Sequence, residues 1–287
     1  MQIGSKYVDR FYLKRLYYKF VYPILHPAYK PKDIRRTRFI VNLCNACNLN
    51  CFSCSNLMDR PMGSNVYRNH YRETTPEQLD LFLERVKDWK KEAWVRLTGG
   101  EPTLIGPSKL QQMVEVCKKH NRRVDMVTNG HRLMELDTPH IFDYLILDDH
   151  GINRDKIEEV ISWLNTWSYD KFKVITFTAH RDLELQRKDN VSFGPKCVNW
   201  LYTTTLWQDL VYPCCVMHSI EGFEDNQEIG ESLRRNGYTI DNPHLAETLE
   251  NWKTTIPNEA LRACLFGCWH GGNNIVWKNI EKPQTTA

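Results

Sequence analysis

Short apolar runs alternate with amphipathic segments between residues 37 and 190. The apolar runs have the length of β-strands, and the longer segments repeat apolar residues every three or four positions, as helices do. Predicted strands cover 39–43, 93–97, 124–128, 144–147 and 172–178, and predicted helices cover 76–89, 108–119 and 155–167. Such alternation indicates parallel strands joined by crossover helices, which is an α/β fold. Five strands are too few for a closed eight-stranded barrel, so we expect a partial barrel or an open doubly wound sheet.

The alternation stops after about residue 190. The elements predicted beyond that point are a hairpin over 201–206 and 210–212, helices near 244–253 and 258–266, and a frayed tail over 278–287. This C-terminal region therefore has an organisation of its own.

Residues 1–36 are rich in basic and aromatic side chains. Within them, residues 6–21 place apolar residues at helical spacing between arginines and lysines, which predicts a basic amphipathic helix. Prolines at 23, 27 and 31 then favour an extended connector. Two interpretations stay open: the helix packs on the body of the protein, or it lies on a membrane surface or an acidic partner.

Composition restricts the class of protein. The 287 residues are 41% hydrophobic and 25% charged, which is typical of globular chains. The mean hydropathy is −0.54, and no apolar run approaches the roughly 20 residues of a membrane-spanning helix. A net charge of +3 argues against a dedicated nucleic-acid-binding protein. The first residues lack the pattern of a secretory signal, so we expect a cytoplasmic protein whose thiols stay reduced.

Four of the ten cysteines lie within eleven residues, directly after the first predicted strand: Cys44, Cys47, Cys51 and Cys54. The last three have the spacing C-x3-C-x2-C. A loop of this length can offer three thiolates to three irons of a [4Fe–4S] cluster and leave the fourth iron open. A zinc site formed by all four cysteines, or four unliganded thiols, are the alternatives.

Two further motifs follow predicted strands. Gly-Gly-Glu-Pro at 99–102 comes after the second strand, where the glycines let a ligand approach the backbone and Glu101 offers a carboxylate to a cationic amine. Thr-Asn-Gly at 128–130 ends the next strand. Each motif alone is compatible with an ordinary turn.

The three motifs, in this order, resemble those of the radical S-adenosylmethionine (radical SAM) superfamily, over roughly residues 37–180. The resemblance implies a partial (β/α) barrel of about five to six parallel strands. It also implies that the open iron of a [4Fe–4S] cluster binds S-adenosylmethionine. Reductive cleavage of this cofactor gives a 5′-deoxyadenosyl radical, which takes a hydrogen atom from the substrate.

The resemblance assigns roles residue by residue. The implied cluster ligands are Cys47, Cys51 and Cys54, the methionyl amine is assigned to Gly99, Gly100 and Glu101, and the ribose or carboxylate is assigned to Thr128, Asn129 and Asp148. The family usually has an aromatic residue directly before the third cysteine. Here Ser53 has that position, so Phe52 is the candidate for the adenine contact. Cys44 has no role in the family pattern, and we expect it to be a packed thiol.

Residues at the ends of predicted strands are the candidates for catalysis. Asp149, His150 and Arg181 lie at ends that should face the active site of a barrel of this kind. Each could instead be a solvated loop residue.

A second set of cysteines lies in the C-terminal region: Cys197, Cys214, Cys215, Cys264 and Cys268. It resembles the auxiliary-cluster modules of the superfamily, which are called SPASM when they hold two clusters and twitch when they hold one. The resemblance implies a single auxiliary [4Fe–4S] cluster on Cys197, Cys214, Cys264 and Cys268 that transfers electrons. Cys215 could replace Cys214, since adjacent residues on a strand face opposite sides. Buried core thiols or a zinc site are the alternatives.

The predicted organisation follows from these motifs. It consists of an N-terminal helix and linker over 1–36, a radical SAM partial barrel over 37–190, a twitch-like module of a hairpin and helices over 191–277, and a tail over 278–287.

The expected activity is hydrogen-atom abstraction from a polar small molecule, most simply the oxidation (dehydrogenation) of an alcohol. Similar small twitch-containing enzymes include an aminocyclitol alcohol dehydrogenase. An external donor such as flavodoxin or ferredoxin would reduce the cluster. The alternatives are radical epimerisation, rearrangement or adenosyl addition on a carrier-, lipid- or peptide-linked substrate, and, more distantly, a non-catalytic metal-binding interaction protein. Neither a nucleic-acid partner nor a transmembrane segment is expected, and membrane contact is confined to residues 6–21.

Overall fold

A seven-stranded sheet is the centre of the computed structural model, which describes residues 37–49, 71–176, 179–181, 203–214, 227–257 and 277–279. The strands of the chain are β1 (Arg38–Asn42), β2 (Trp94–Thr98), β3 (Val124–Thr128), β4 (Tyr144–Asp149), β5 (Phe172–Thr176), β6 (Ala179–Arg181), β7 (Thr203–Trp207), β8 (Leu210–Tyr212) and β9 (Trp277–Asn279). The sheet has the order β5-β4-β3-β2-β1-β7-β8, and β6 pairs separately with β9. Within the sheet, every neighbouring pair is parallel except β7 and β8. The expected α/β fold with a mostly parallel sheet is confirmed.

The described helices are α1 (Pro76–Arg85), α2 (Pro107–Lys119), α3 (Arg154–Thr166), α4 (Gln227–Arg235), α5 (Leu245–Glu250) and α6 (Trp252–Thr255). The first three follow β1, β2 and β4 and agree with the predicted crossover helices, although α1 ends four residues before the predicted end. Between β3 and β4 the chain forms two short 3-10 turns, Leu133–Glu135 and Pro139–Ile141. The sequence did not predict α4.

Local sequence determines where α1 begins. The hydroxyl of Thr75 accepts the backbone N–H of Gln78 at 3.3 Å, and the side chain of Gln78 accepts the backbone N–H of Thr75 at 2.9 Å. This reciprocal pair is a capping box, which satisfies two backbone donors at the helix start. Pro76 follows at a position where a helix needs no backbone donor.

The hydrophobic core lies between one face of the sheet and the helices. Phe39 of β1 is fully buried there and meets Phe82 of α1 edge to face, with ring centroids 5.3 Å apart. Val95, Met126 and Leu147 on the next strands belong to the same core. Because side chains alternate along a strand, the residues between these point to the opposite face of the sheet.

The predicted hairpin is present as β7 and β8, and it turns through Gln208, which has a positive φ of 56°. Its place differs from the prediction. β7 pairs in parallel with β1, so that Arg38 lies opposite Thr203 and Val41 opposite Leu206. The hairpin therefore extends the central sheet, whereas the sequence assigned it to the C-terminal module. The local pattern of a strand gives no indication of a partner that lies about 165 residues earlier in the chain.

Several predicted elements lie wholly or partly outside the described residues. These are the basic helix at 6–21, the helix at 258–266 and most of the tail at 278–287. The first two residues of that tail instead belong to β9, where they pair with β6. Within the described ranges, no helix has the length and hydropathy that crossing a membrane requires.

Candidate active site

The face of the sheet opposite the helices is called the polar face here. It is formed by Arg38, Ile40 and Asn42 of β1, Arg96 and Thr98 of β2, Asp125 and Val127 of β3, and Ile146 and Asp148 of β4. In parallel sheets, ligands bind beyond the carboxyl ends of the strands. The residues at that end of the polar face and the loops that follow them are therefore the candidate site.

A buried carboxylate joins two arginines at the other end of this face. Asp125 accepts the Nε of Arg38 at 3.1 Å, and it accepts the Nε and Nη2 of Arg96 at 2.9 and 2.6 Å. The Asp125 side chain is only 2% exposed, while each arginine keeps about a fifth to a quarter of its surface in solvent. Sequence analysis missed Asp125, although a lone acidic residue between Val124 and Met126 was a visible signal.

Backbone hydrogen bonds hold the cysteine loop against the Gly-Gly-Glu-Pro loop. The N–H of Gly100 donates to the carbonyl of Cys44 at 2.8 Å, and the N–H of Glu101 donates to the carbonyl of Ala46 at 2.7 Å. These bonds continue the pairing of β1 with β2 beyond the strand ends. Two of the three sequence motifs thus lie side by side.

Gly99 allows this close approach. Its φ is +133°, a conformation that L side chains rarely adopt, and a Cβ atom would lie 2.8 Å from the carbonyl oxygen of Cys44. The same atom would lie 3.0 Å from the backbone nitrogens of Leu43 and Cys44. A side chain at this position would therefore force the two loops apart.

The carboxylate of Glu101 connects the second motif to the third. Its Oε1 accepts the N–H and hydroxyl of Thr103 at 3.1 and 2.7 Å and the hydroxyl of Thr128 at 2.5 Å, while Oε2 accepts the N–H of Asn129 at 2.8 Å. Burial raises the pKa of Glu101, and these four hydrogen bonds act against that rise. The side chain is 1% exposed. A ligand amine could therefore meet this carboxylate only at Oε2, where one acceptor position remains.

Asn129 brings the third motif to the first cysteine of the cluster motif. Its Nδ2 donates to Oδ1 of Asn48 at 2.8 Å and reaches the sulfur of Cys47 at 3.8 Å. The backbone N–H of Leu49 donates to the same sulfur at 3.3 Å. All three motifs that the sequence singled out therefore meet at one edge of the sheet.

Cys44 differs from Cys47 in its surroundings. Its buried thiol donates to the carbonyls of Ala46 and Glu101, both at 3.5 Å. Burial raises the pKa of this thiol to about 11, so it stays protonated at neutral pH. The burial of this thiol and its two hydrogen bonds agree with a packed thiol.

Asp148 ends the polar face on β4. Burial, and next the charge of Glu101, raise the pKa of the Asp148 carboxyl to about 7. Its Oδ1 is buried and has no hydrogen-bond partner in the described part of the chain. Asn153, which sequence analysis missed, fixes the backbone here: its Nδ2 donates to the carbonyls of Asp148 at 2.9 Å and Asn129 at 3.0 Å.

The candidate catalytic residues have different surroundings. Asp149 is buried, and its carboxylate accepts the N–H of Gly151 at 2.7 Å, the guanidinium of Arg154 at 3.2 Å and the hydroxyl of Thr176 at 3.3 Å. Its bonds therefore stabilise the turn that leads into α3. The backbone N–H of His150 donates to Asn153 at 2.8 Å. Arg181 lies on β6, opposite Trp277 of β9, and its side chain lies outside the described part.

The other predicted site residues lie outside the described residues, namely Cys51, Phe52, Cys54, Cys197, Cys215, Cys264 and Cys268. Cys214 is described: it is buried beyond β8, and its carbonyl accepts the hydroxyl of Thr205 at 3.4 Å. No cluster of three or more metal-binding side chains occurs among the residues that the structure describes. The auxiliary cluster and its ligand set therefore stay predictions.

Comparison with protein families identifies the region that contains these motifs. Residues 41–154 match the model of the radical SAM superfamily. The match covers 114 of the 287 residues. The matched region contains the end of β1, strands β2 to β4, the three motif loops and Asp148. No curated protein matches the sequence.

Solved structures of radical SAM enzymes resemble this chain. The crystal structure of BtrN in complex with AdoMet and 2-DOIA has a TM-score of 0.53 and 17% identity, and the match covers 85% of this chain and 94% of BtrN. An open conformation of BtrN gives a TM-score of 0.46 at 16% identity, over 85% of this chain and 91% of BtrN. Native anSMEcpe with bound AdoMet and a Cp18Cys peptide has a TM-score of 0.38 and 18% identity, and the match covers 50% of this chain and 44% of anSMEcpe. At these identities the first comparison establishes a shared fold.

Members of the radical SAM superfamily are enzymes that bind a [4Fe–4S] cluster and cleave S-adenosylmethionine to a radical. The mostly parallel sheet is consistent with the core of that superfamily.

Proposed function

We propose that this protein is a radical SAM enzyme that oxidises an alcohol group of a polar small molecule. The observation that carries the proposal is the convergence of Cys47, the Gly-Gly-Glu-Pro loop and the Thr-Asn-Gly loop at the carboxyl ends of β1, β2 and β3. Hydrogen bonds connect all three, so the site is assembled by the fold before any ligand binds.

The described residues fit the cluster and S-adenosylmethionine. Cys47 is partly exposed, and its sulfur accepts the N–H of Leu49, an arrangement that stabilises a thiolate. We assign Cys47, with Cys51 and Cys54, as the ligands of the first cluster. We assign Cys197, Cys214, Cys264 and Cys268 as ligands of an auxiliary cluster. When bound, the first cluster and S-adenosylmethionine supply a 5′-deoxyadenosyl radical, and the auxiliary cluster supplies an electron acceptor.

The protein's own groups position the reaction. Glu101 and Asn129 fix the geometry between the second and third motifs, and Asn129 also orients the loop that bears Cys47. Gly99 and Gly100 present backbone groups beside the cysteine loop, where they are suited to a methionyl amine. Asp148 offers an unshared buried oxygen to a hydroxyl group of the cofactor or the substrate.

The polar groups of this face are suited to a hydroxyl-bearing substrate. An alcohol that becomes a carbonyl loses one hydrogen atom, one proton and one electron. The cofactors, when bound, would supply the acceptors of the hydrogen atom and the electron, and the carboxylate of Asp148 would accept the proton. BtrN, which shares the fold, is itself solved with AdoMet and 2-DOIA.

Iron content and product analysis test the proposal. After anaerobic reconstitution, we expect iron without zinc, and 5′-deoxyadenosine formation when a reductant and S-adenosylmethionine are added. The Cys47→Ala variant should lose the iron of the first cluster and all deoxyadenosine formation. The matched Cys44→Ala variant should keep both, because the buried thiol of Cys44 donates to the carbonyls of Ala46 and Glu101 within the protein. Zinc without iron in the wild type, or equal iron loss in both variants, would contradict the assignment.

A further inference from the structure

Asn42 is a buried polar residue with no assigned role. It ends β1, its side chain is 2% exposed, and neither its Nδ2 nor its Oδ1 has a hydrogen-bond partner in the described part of the chain. Its backbone is held firmly, because its carbonyl accepts the hydroxyl of Thr74 at 2.6 Å. Buried amides in native proteins are normally hydrogen-bonded, so two unpartnered atoms on one side chain need an explanation.

The place of Asn42 in the sheet indicates a ligand. Phe39 and Val41 point into the helix-side core, so Asn42 lies on the polar face, next to Thr98 in the β1–β2 register. It is two residues before Cys44, whose carbonyl accepts the backbone N–H of Gly100. The side chain therefore lies at the carboxyl end of a parallel strand, beside the loops that converge on the site.

The chemistry of the amide restricts the ligand. Asn42 presents a donor and an acceptor side by side, and a hydroxyl group can satisfy both because it donates and accepts. A carboxylate or phosphate, which can only accept, would satisfy only Nδ2. An ammonium group, which can only donate, would satisfy only Oδ1.

We propose that Asn42 is a specificity-determining residue that hydrogen-bonds a hydroxyl group of a neutral, hydroxyl-bearing ligand. The inference rests on the proposed function and deepens it by naming the substrate class, a neutral alcohol or polyol. The ribose of S-adenosylmethionine also carries hydroxyl groups. The experiment therefore distinguishes a hydroxyl group of the substrate from a hydroxyl group of this ribose.

The first measurement uses the metal-free protein and needs no ligand. Asn42→Leu removes two unsatisfied atoms at nearly constant volume, so its denaturant midpoint should equal or exceed that of the wild type. Asn45→Leu is the matched control, since Asn45 is equally buried but accepts the N–H of Arg72 at 2.9 Å. Its midpoint should fall. Asn42→Ala and Asn45→Ala repeat the comparison without added bulk. If both Asn42 variants lose as much as the Asn45 variants, Asn42 has a partner within the protein and the inference is overturned.

The second measurement uses the reconstituted protein. If the ribose is the ligand, Asn42→Leu should weaken the Kd of S-adenosylmethionine by about tenfold. If the substrate is the ligand, that Kd should stay within twofold, and myo-inositol, a neutral polyol, should increase 5′-deoxyadenosine formation in the wild type and not in Asn42→Leu. No increase in either protein would overturn the assignment to the substrate. A variant that matches the wild type in both readouts overturns the inference. A wild type that neither holds iron nor binds S-adenosylmethionine refutes the proposed function instead, and the metal-free comparison still decides whether Asn42 has a partner.

Discussion

Replacing Gly99 by alanine tests how closely the cysteine loop and the Gly-Gly-Glu-Pro loop must approach. Two costs add at this position. The positive φ of 133° strains any L residue by about 1–3 kcal/mol. The new Cβ would lie 2.8–3.0 Å from backbone atoms of Leu43 and Cys44, which cannot rotate away, and such overpacking costs about 1–3 kcal/mol more. We therefore expect Gly99→Ala to lower the free energy of unfolding by about 2–6 kcal/mol.

Gly106→Ala separates the two costs. Gly106 also has a positive φ, 89°, but no atom lies within 4 Å of the Cβ that would be added. This variant should lose only the strain energy, about 1–3 kcal/mol. Urea unfolding of the metal-free proteins measures both values, and deoxyadenosine formation should fall much further in Gly99→Ala than in Gly106→Ala. Equal destabilisation and equal activity in the two variants would refute the reasoning, because the contact with Cys44 would then have no energetic weight.

Three other substitutions test the charged groups of the site. Glu101→Gln exchanges one acceptor oxygen of the buried carboxylate for a donor, next to groups that already donate to it, so it should cost about 1–3 kcal/mol in urea unfolding and weaken S-adenosylmethionine binding. An unchanged Kd would remove Glu101 from the site. Asp125→Asn should cost about 3 kcal/mol or more, because it leaves Arg38 and Arg96 facing each other without their shared carboxylate; a loss below 1 kcal/mol would contradict this. Asp148→Asn should change the pH dependence. In the folded protein the Asp148 pKa is about 7, against an ordinary value of 3.8, so the folded state keeps a proton that the unfolded state releases between these values. The stability of the wild type relative to the variant should fall as the pH rises from about 4 to 7 and then level off, and a constant difference would show that Asp148 is not desolvated.

The order of strands and the three motif loops could be predicted because their signals are local. Strand-length apolar runs and helical spacing located β1 to β5 and α1 to α3 within a few residues. This works because the side chains that an element buries recur along the sequence with the period of that element. Glycines at 99 and 130 marked the strand ends correctly. The meeting of the motifs at one edge then follows from the parallel arrangement.

The hydrogen-bond network within the site could not be predicted, because it depends on contacts between distant residues. The sequence assigns Glu101 to a ligand amine, and it gives no sign that the same carboxylate accepts four hydrogen bonds from Thr103, Thr128 and Asn129. The sequence does not indicate the partners of Asn153 and Asp125, which only the packed sheet brings to them. The same holds for β7, whose neighbour in the sheet is the first strand of the chain.

The position of β1 between β2 and β7 has a consequence for biosynthesis. β1 is made first, but its two neighbours follow about 56 and 165 residues later. At the usual 5–20 residues per second, a ribosome needs about 10–30 s to reach β7 after it has made β1. For that time the strand that carries the cysteine loop has an open edge and exposed backbone groups, which favour pairing with other chains. A cluster inserted into the nascent chain would therefore bind next to an incomplete sheet. Insertion after synthesis has passed residue 207 would avoid this exposed strand edge.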